Sequence, residues 1–251
     1  MFLYERSSIL CISAINMQKP VHVKASEGDI AKLALICDDR DRVKDIAGLL
    51  DDCRLASDSR GYLVYTGKHN GTAVSVASHG IGGPSCAILV EELAMYGVRE
   101  IVMFGTTGPL TESINLGDFV ISTRSRHPPG GLYSGYGAQD DEKVPDSRLM
   151  ARITRSFRES GLRFHEGGVY CSDTYYAEDR DFVKSMADQG NISVEMESAT
   201  LFMLGRLRDI ATAAVFIASN TVADKAYLHE ADITERSRAG AKAIFDALCE
   251  K

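Results

Sequence analysis

Short apolar segments alternate with amphipathic ones along most of the chain. Several of the apolar segments have no polar face, and such strands are expected where helices cover both sides of a sheet. The pattern therefore predicts a sheet buried between two helical layers. The predicted strands are residues 33–37, 62–65, 73–77, 101–105, 119–123 and 213–218.

The amphipathic segments predict helices between these strands. One helix begins near Pro84, where a first helical turn tolerates proline, and stops before Gly97. Others are predicted over residues 146–161, 195–207 and 233–248. We therefore expect one α/β domain over residues 20–251, with a central mixed sheet flanked by helices. Residues 1–19 are expected to form a disordered extension, and residues 124–145 to form an irregular lid or interface element.

Composition and charge narrow the possible partners. The 251 residues contain 28 Lys and Arg against 35 Asp and Glu, which gives a net charge of −7 and argues against nucleic acid as a partner. No apolar run approaches the roughly 20 residues that span a bilayer, so no membrane association is expected. The six cysteines show no paired spacing. We therefore expect free thiols, a cytoplasmic location and no metal site.

Four segments combine glycine, hydroxyl, acidic or aromatic side chains at predicted strand ends, where ligands bind in open α/β sheets. Each also has an ordinary structural explanation: a tight turn, a capped loop, acidic residues in a first helical turn, or core packing. Glu195 and Glu197 are two residues apart, so they cannot share one face of the predicted helix, and only one of them is expected to enter a pocket. The segments are residues 79–85, 105–108, 171–176 and 194–199.

Together these segments resemble the nucleoside phosphorylases of the hexameric type, a family that includes uridine phosphorylase and bacterial-type purine nucleoside phosphorylase. The matching motifs are Gly-Ile-Gly-Gly-Pro-Ser at 80–85, Gly-Thr-Thr-Gly at 105–108, Ser-Asp-Thr-Tyr-Tyr at 172–176 and Glu-Met-Glu-Ser-Ala-Thr-Leu at 195–201. The resemblance covers residues 22–249 and is closer to the uridine branch. It implies attack of inorganic phosphate on the anomeric carbon of a nucleoside, with phosphate as co-substrate and no cofactor.

For the ribose, the resemblance implies that Glu197 accepts hydrogen bonds from the 2′- and 3′-hydroxyls while Met196 packs against the sugar. Glu195 belongs to the same ribose-binding motif. His22 matches a histidine that a neighbouring subunit lends to the 5′-hydroxyl. The resemblance therefore implies a homodimer with shared sites, or a trimer of such dimers.

For phosphate, the resemblance implies binding by Arg42, by the hydroxyl of Thr106 and by Arg60 donated across the dimer. The sequence departs from the family at two positions. Asp38 stands where the family has a phosphate-binding glycine, and Met103 replaces an arginine. A carboxylate 4 Å from one anionic charge costs roughly 4 kcal/mol at an effective dielectric constant of 20.

Arg40 is expected to reduce that cost by pairing with one of the aspartates of the same loop, which are Asp38, Asp39 and Asp41.

For the base, Tyr175 corresponds to a stacking aromatic, and Thr107 is also expected to contact the base. Glu178 and Arg180 keep the spacing of a Gln-x-Arg pair that reads uracil, but without the glutamine. Asn220 lies where the purine branch has a catalytic aspartate, and its amide can both donate and accept hydrogen bonds. The catalytic group is therefore expected to comprise Glu197, Arg42 and Asn220.

The expected activity is phosphorolysis of a ribonucleoside to free base and ribose 1-phosphate, with uridine favoured and a purine nucleoside as the other possibility. The altered phosphate residues leave two alternatives. One is a nucleosidase that uses water, and the other is a nucleoside-binding protein without catalysis.

Overall fold

The computed structural model describes residues 19–138, 140–223 and 226–250, so the extension predicted for residues 1–19 lies, except for Lys19, outside the described residues. Ten strands are present within these ranges: β1 (Leu33–Cys37), β2 (Asp51–Ser59), β3 (Tyr62–His69), β4 (Thr72–Ser78), β5 (Glu100–Pro109), β6 (Phe119–Arg126), β7 (Glu142–Lys143), β8 (Phe164–Cys171), β9 (Asn191–Glu195) and β10 (Ala211–Ala218). The same ranges contain the helices α1 (Arg40–Ala47), α2 (Gly83–Met95), α3 (Gly131–Gly135), α4 (Ser147–Glu159), α5 (Arg180–Asp188), α6 (Ser198–Arg208) and α7 (Glu230–Leu248).

The strands form one mixed sheet that closes on itself at one end. Strands β5, β10, β6, β8 and β9 pair in that order, and β9 pairs again with β5, which completes a ring of five strands. From β5 the sheet continues through β1, β4, β3 and β2 as an open edge. Parallel pairs join β1 to β4 and β5, whereas β3 pairs antiparallel with both of its neighbours. The predicted α/β fold with a mixed sheet is confirmed.

Two apolar cores cover the two faces of this sheet, which explains why its central strands lack a polar face. Along β1, Ala34 and Ile36 belong to a core that also contains side chains of α2 and α6. Leu35 and Cys37 belong to the opposite core, which is built with α1, α4 and α7. Because side chains alternate along a strand, a strand covered on both sides must be apolar at every position.

Two local predictions differ from the structure. The stretch after β1 was expected to be a loop, but α1 begins at Arg40 because the Asp39 side chain caps the helix by accepting from the Asp41 amide. The irregular stretch 124–145 contains the end of β6, the short helix α3 and strand β7. The predicted helix after the glycine-rich loop is confirmed: α2 begins at Gly83 and ends before Gly97.

Candidate active site

A cavity of about 700 Å³ lies at the carboxyl ends of β1, β4, β5 and β10, beside the end of β9. This is the position at which open parallel sheets bind ligands. Of the predicted site residues, those that line the cavity are Thr106, Thr107, Tyr175, Glu178, Glu195, Met196, Glu197 and Asn220. Those that do not line it are His22, Arg42, Arg60 and Arg180.

The two glutamates of the Glu-Met-Glu motif both line the cavity, so the expectation that only one would do so is wrong. The reason is that Glu195 ends strand β9 instead of opening a helix, while Glu197 immediately precedes α6. The Glu195 carboxylate accepts from the amides of Glu197 and Ser198, both at 2.8 Å, and from the Ser198 hydroxyl at 2.6 Å. These three hydrogen bonds fix the turn that presents Glu197.

Burial raises the pKa of both carboxyl groups in this turn. For Glu195 the hydrogen bonds from Ser198 and Glu197 oppose the effect of burial. For Glu197 the nearby charge of Glu195 raises the pKa further, so that it lies well above its usual range. The Gly82 amide donates to Glu197 and opposes this shift.

The Gly82 amide reaches Glu197 because of the backbone at this turn. Gly82 has a φ of 93°, a conformation that glycine adopts without strain, and it precedes the first turn of α2. The glycine-rich loop therefore brings the start of α2 against the turn that carries Glu195 and Glu197. The loop is both a tight strand-to-helix connection and a support for a cavity side chain, so the two interpretations of this segment are compatible.

At the end of the cavity near β1, the expected phosphate residues are arranged differently from the prediction. Asp38 lines the cavity, and its Oδ1 lies 2.6 Å from Nη1 of Arg42 on α1. Arg42 is therefore held by a carboxylate of its own chain and stands behind it. Met103 also lines this part of the cavity.

The predicted pairing of Arg40 with an aspartate of its own loop is wrong. Arg40 instead contacts Asp58 at 2.9 Å and the Gly61 carbonyl at 3.0 Å, because α1 directs it toward the β2–β3 hairpin.

Away from β1, aromatic and amide side chains line the cavity. The Tyr175 hydroxyl lies 3.1 Å from that of Tyr227, and its ring meets that of the exposed Tyr176 edge-on. The Thr107 hydroxyl donates to the Val194 carbonyl at 2.7 Å, so its proton is used to join β5 to β9. Asn220 accepts from the Ser219 hydroxyl at 3.0 Å, which leaves its amide nitrogen as a donor.

Glu178, beside these groups, is buried. Arg180 opens α5 outside the lining of the cavity. Gly108 is required on the opposite wall, since a Cβ at this position would overlap the Val222 side chain.

His22 and Arg60 do not line the cavity of their own chain. Nδ1 of His22 contacts the Glu92 carboxylate at 2.8 Å, and its ring meets Tyr62 edge-on. Arg60 is exposed at the turn between β2 and β3. Their predicted contribution to a neighbouring subunit's site stays a prediction.

One cavity residue was missed as an individual functional candidate. His79 follows β4 and is 1% exposed, with Nδ1 2.6 Å from the Gly80 carbonyl. Its Nε2 is buried without a hydrogen-bond partner among the described residues. The sequence signal for this residue is a histidine that directly follows an apolar strand and precedes a glycine-rich loop. The sequence does not indicate that this histidine is buried.

The described residues also bear on metal and membrane binding. In residues 19–138, 140–223 and 226–250, no group of three or more His, Cys, Asp or Glu side chains could hold a metal ion. No helix in these ranges has the length and apolar character that crossing a membrane requires.

Comparison with known proteins identifies the class. Residues 32–250 match the model of the Phosphorylase superfamily, and the chain belongs to this family. The family resemblance inferred from the four motifs is thereby confirmed.

Among individual relatives, the chain is 32% identical to guanosine phosphorylase of Halorubrum lacusprofundi over 199 residues, 79% of this chain and 82% of that protein. It is 30% identical to uridine phosphorylase of Thermococcus kodakarensis over 199 residues, 74% of this chain and 72% of that protein. The crystal structure of uridine phosphorylase from Vibrio fischeri ES114 superposes with a TM-score of 0.83 at 24% identity, covering 95% of this chain and all of that one, so it shares the fold.

Proposed function

We propose that this protein cleaves the N-glycosidic bond of a ribonucleoside with inorganic phosphate, releasing the base and ribose 1-phosphate. The observation that carries the proposal is the carboxylate turn at the end of β9. It presents Glu197 to the same cavity as Thr106 and Asn220. A carboxylate with two acceptor oxygens matches the two adjacent hydroxyls of a ribose.

The reaction follows from this arrangement. As the C1′–N bond breaks, its electron pair moves to the base, and the sugar acquires oxocarbenium character, as in glycoside hydrolysis. Glu197 holds the 2′- and 3′-hydroxyls, and its charge stabilises the positive sugar. A phosphate oxygen forms the new bond to C1′, and the hydrogen that phosphate loses ends on the departing base. Asn220 donates to the base as negative charge develops on it.

The site is proposed to be shared between two subunits. Arg60 would contribute to the phosphate, and His22 to the 5′-hydroxyl, of the partner's site. The exposure of Arg60 and its absence from the lining of its own chain's cavity support this exchange. We place the enzyme in the cytoplasm as a homodimer or a trimer of dimers that needs no cofactor.

The base end favours a second candidate substrate beside uridine. Carboxyl oxygens accept hydrogen bonds, and Glu178 is a buried carboxyl group that lines this part of the cavity. Guanine offers two neighbouring donors, N1–H and the 2-amino group, whereas uracil offers one. The Asn220 amide can donate to the carbonyl oxygen of either base. Guanosine is therefore proposed as the alternative to uridine, and the relative named guanosine phosphorylase supports it.

Product analysis of a nucleoside panel tests both parts of the proposal. Uridine, thymidine, inosine, guanosine and adenosine are incubated with and without phosphate, and the products are separated by chromatography. We expect ribose 1-phosphate to appear only with phosphate, and the order of rates to identify the base. Glu197→Gln is the matched inactive control. Base release at equal rates without phosphate would contradict phosphorolysis, and no release from any nucleoside would contradict the enzymatic activity.

A further inference from the structure

The anion end of the cavity is unusual in its balance of charges. Among the described residues that line the cavity, none is lysine or arginine. Arg42 is close by, but its guanidinium is bound to the carboxylate of Asp38, which itself faces the cavity. The Asp38 Oδ1 atom also lies 3.8 Å from the position that a Cβ on Gly105 would occupy, which puts the carboxylate beside the Gly-Thr-Thr-Gly motif. An anion bound here meets a carboxylate before it meets the arginine.

His79 adds a second hydrogen-bond acceptor to the same end. Its Nδ1 lies 2.6 Å from the Gly80 carbonyl oxygen, so Nδ1 must carry a hydrogen. Burial lowers the pKa of His79 to about 4, with Asp38 opposing this effect and Arg42 adding to it. The ring is therefore neutral at pH 7, and Nε2 holds a lone pair that can accept but not donate. This atom is the buried one that lacks a partner.

Within this chain, the anion end thus offers two acceptors and an arginine that Asp38 neutralises, which disfavours a fully deprotonated anion. The Arg60 proposed to come from the partner subunit would attract both kinds of anion, so the two acceptors decide between them and favour an anion that brings its own hydrogen. Inorganic phosphate retains at least one P–OH group at neutral pH, whereas sulfate retains none. A P–OH group donated to a carboxylate is a charge-assisted hydrogen bond and turns the repulsion into an attraction. The Nε2 atom of His79 is buried without a partner, so a second P–OH hydrogen is favourable there when the anion carries two.

We propose that Asp38 and His79 form a proton-requiring anion subsite, which accepts phosphate through a P–OH group and rejects sulfate. Asp38 is the specificity-determining residue, and Arg42 positions its carboxylate. The identification of the anion as the co-substrate rests on the proposed function, whereas the selectivity itself does not. The presence of Asp38 in place of the family's glycine then adds discrimination between phosphate and sulfate, and it does not only lower the affinity for phosphate.

Isothermal titration calorimetry of the full chain tests the proposal at pH 7 and constant ionic strength. Sodium phosphate and sodium sulfate are titrated separately into the wild type and into Asp38→Asn. We expect the wild type to bind phosphate about 10- to 100-fold more tightly than sulfate, the worth of one hydrogen bond to a charged group. Asp38→Asn should bind the two anions with similar affinity, because an asparagine amide can donate to either one.

Asp41→Asn is the matched control. It makes the same change in charge in the same segment, but Asp41 is exposed, pairs with Lys44 and does not line the cavity. Its selectivity should equal that of the wild type. The wild-type comparison needs no variant, so a folding defect in Asp38→Asn would not prevent the test.

Three results would overturn the proposal: equal binding of sulfate and phosphate by the wild type, binding of neither anion, or full selectivity in Asp38→Asn. Nucleoside cleavage is measured separately on the same preparations. Selective anion binding without cleavage would contradict the proposed function alone, whereas cleavage without selectivity would contradict the subsite alone.

Discussion

Replacement of Glu197 by glutamine should make the empty protein more stable while it removes activity. Burial and the charge of Glu195 raise the pKa of the Glu197 carboxyl, so its ionised form is disfavoured in the folded state. A raised native pKa gives stability that is complete below the pKa of the unfolded chain and is lost as pH rises through the native value. Glutamine keeps the shape and the acceptor for the Gly82 amide, and it does not ionise.

The size of both effects follows from the contacts. Two hydrogen bonds from the ribose hydroxyls to a charged acceptor contribute about 1.5–3 kcal/mol each, so their loss should lower kcat/KM by about 10²- to 10⁴-fold. Relief of the buried charge should raise the melting temperature at pH 8 by about 2–4 °C for each kcal/mol gained in a chain of this size. The gain should shrink steadily as pH falls toward 5, because the wild-type carboxyl is then protonated in the folded state and the unfolded chain approaches its own, lower pKa.

Thermal unfolding by circular dichroism from pH 5 to pH 9, together with steady-state kinetics, measures both quantities on the same samples. The result that would refute the reasoning is a difference in melting temperature between Glu197→Gln and the wild type that stays constant across this pH range. Full activity in the variant would remove Glu197 from the proposed mechanism.

Three further outcomes are expected. Glu92→Gln should lower the free energy of unfolding by about 1–3 kcal/mol at pH 7. Burial opposes ionisation of Glu92, but hydrogen bonds from Val23 and His22 outweigh it and hold its pKa below the usual range. The deficit should therefore shrink as pH falls in urea titrations at pH 7 and pH 4, and a constant deficit would contradict this. Arg60→Ala should raise the KM for phosphate about 10- to 100-fold with an unchanged melting temperature. A mixture of the Arg60→Ala and Glu197→Gln proteins should regain activity, because a mixed dimer has one site with both native residues; no regain would contradict the donation of Arg60 across the dimer. Tyr175→Ala should raise the nucleoside KM about 5- to 100-fold through lost stacking, while Tyr175→Phe stays near the wild type in the same assay; equal effects would point to the hydroxyl.

The central strands could be predicted from the sequence because a strand that is buried on both faces is a continuous run of apolar residues. It missed β2, whose side chains are mostly exposed, including Leu55 at 53%, because pairing with β3 alone holds this edge strand. It missed α1 for a related reason. The segment that begins that helix is almost entirely charged, and only the capping geometry of Asp39 shows that the helix starts there.

The candidate site was predictable as a set of strand ends but not as a set of contacts. Eight of the predicted residues line one cavity because parallel strands deliver their carboxyl ends to the same edge. The pairing of Asp38 with Arg42 depends on helix α1, which could not be predicted from its highly charged sequence. The joint exposure of Glu195 and Glu197 to the cavity depends on a strand that ends one residue before the turn.

The closed ring of strands holds one part of the cavity wall in place, whereas another part of the wall lies outside the ring and can vary in sequence. Glu195 ends β9, which is paired with β8 on one side and, at Val194, with Gly108 of β5 on the other. The turn that carries the Glu197 carboxylate is therefore anchored in main-chain pairing that a side-chain substitution hardly disturbs. The segment that carries Tyr175 and Glu178 lies outside the ring, between β8 and α5. Substitutions there can change the base that is accepted without moving the groups that break the bond, so this architecture can diversify its substrates while its chemistry stays the same.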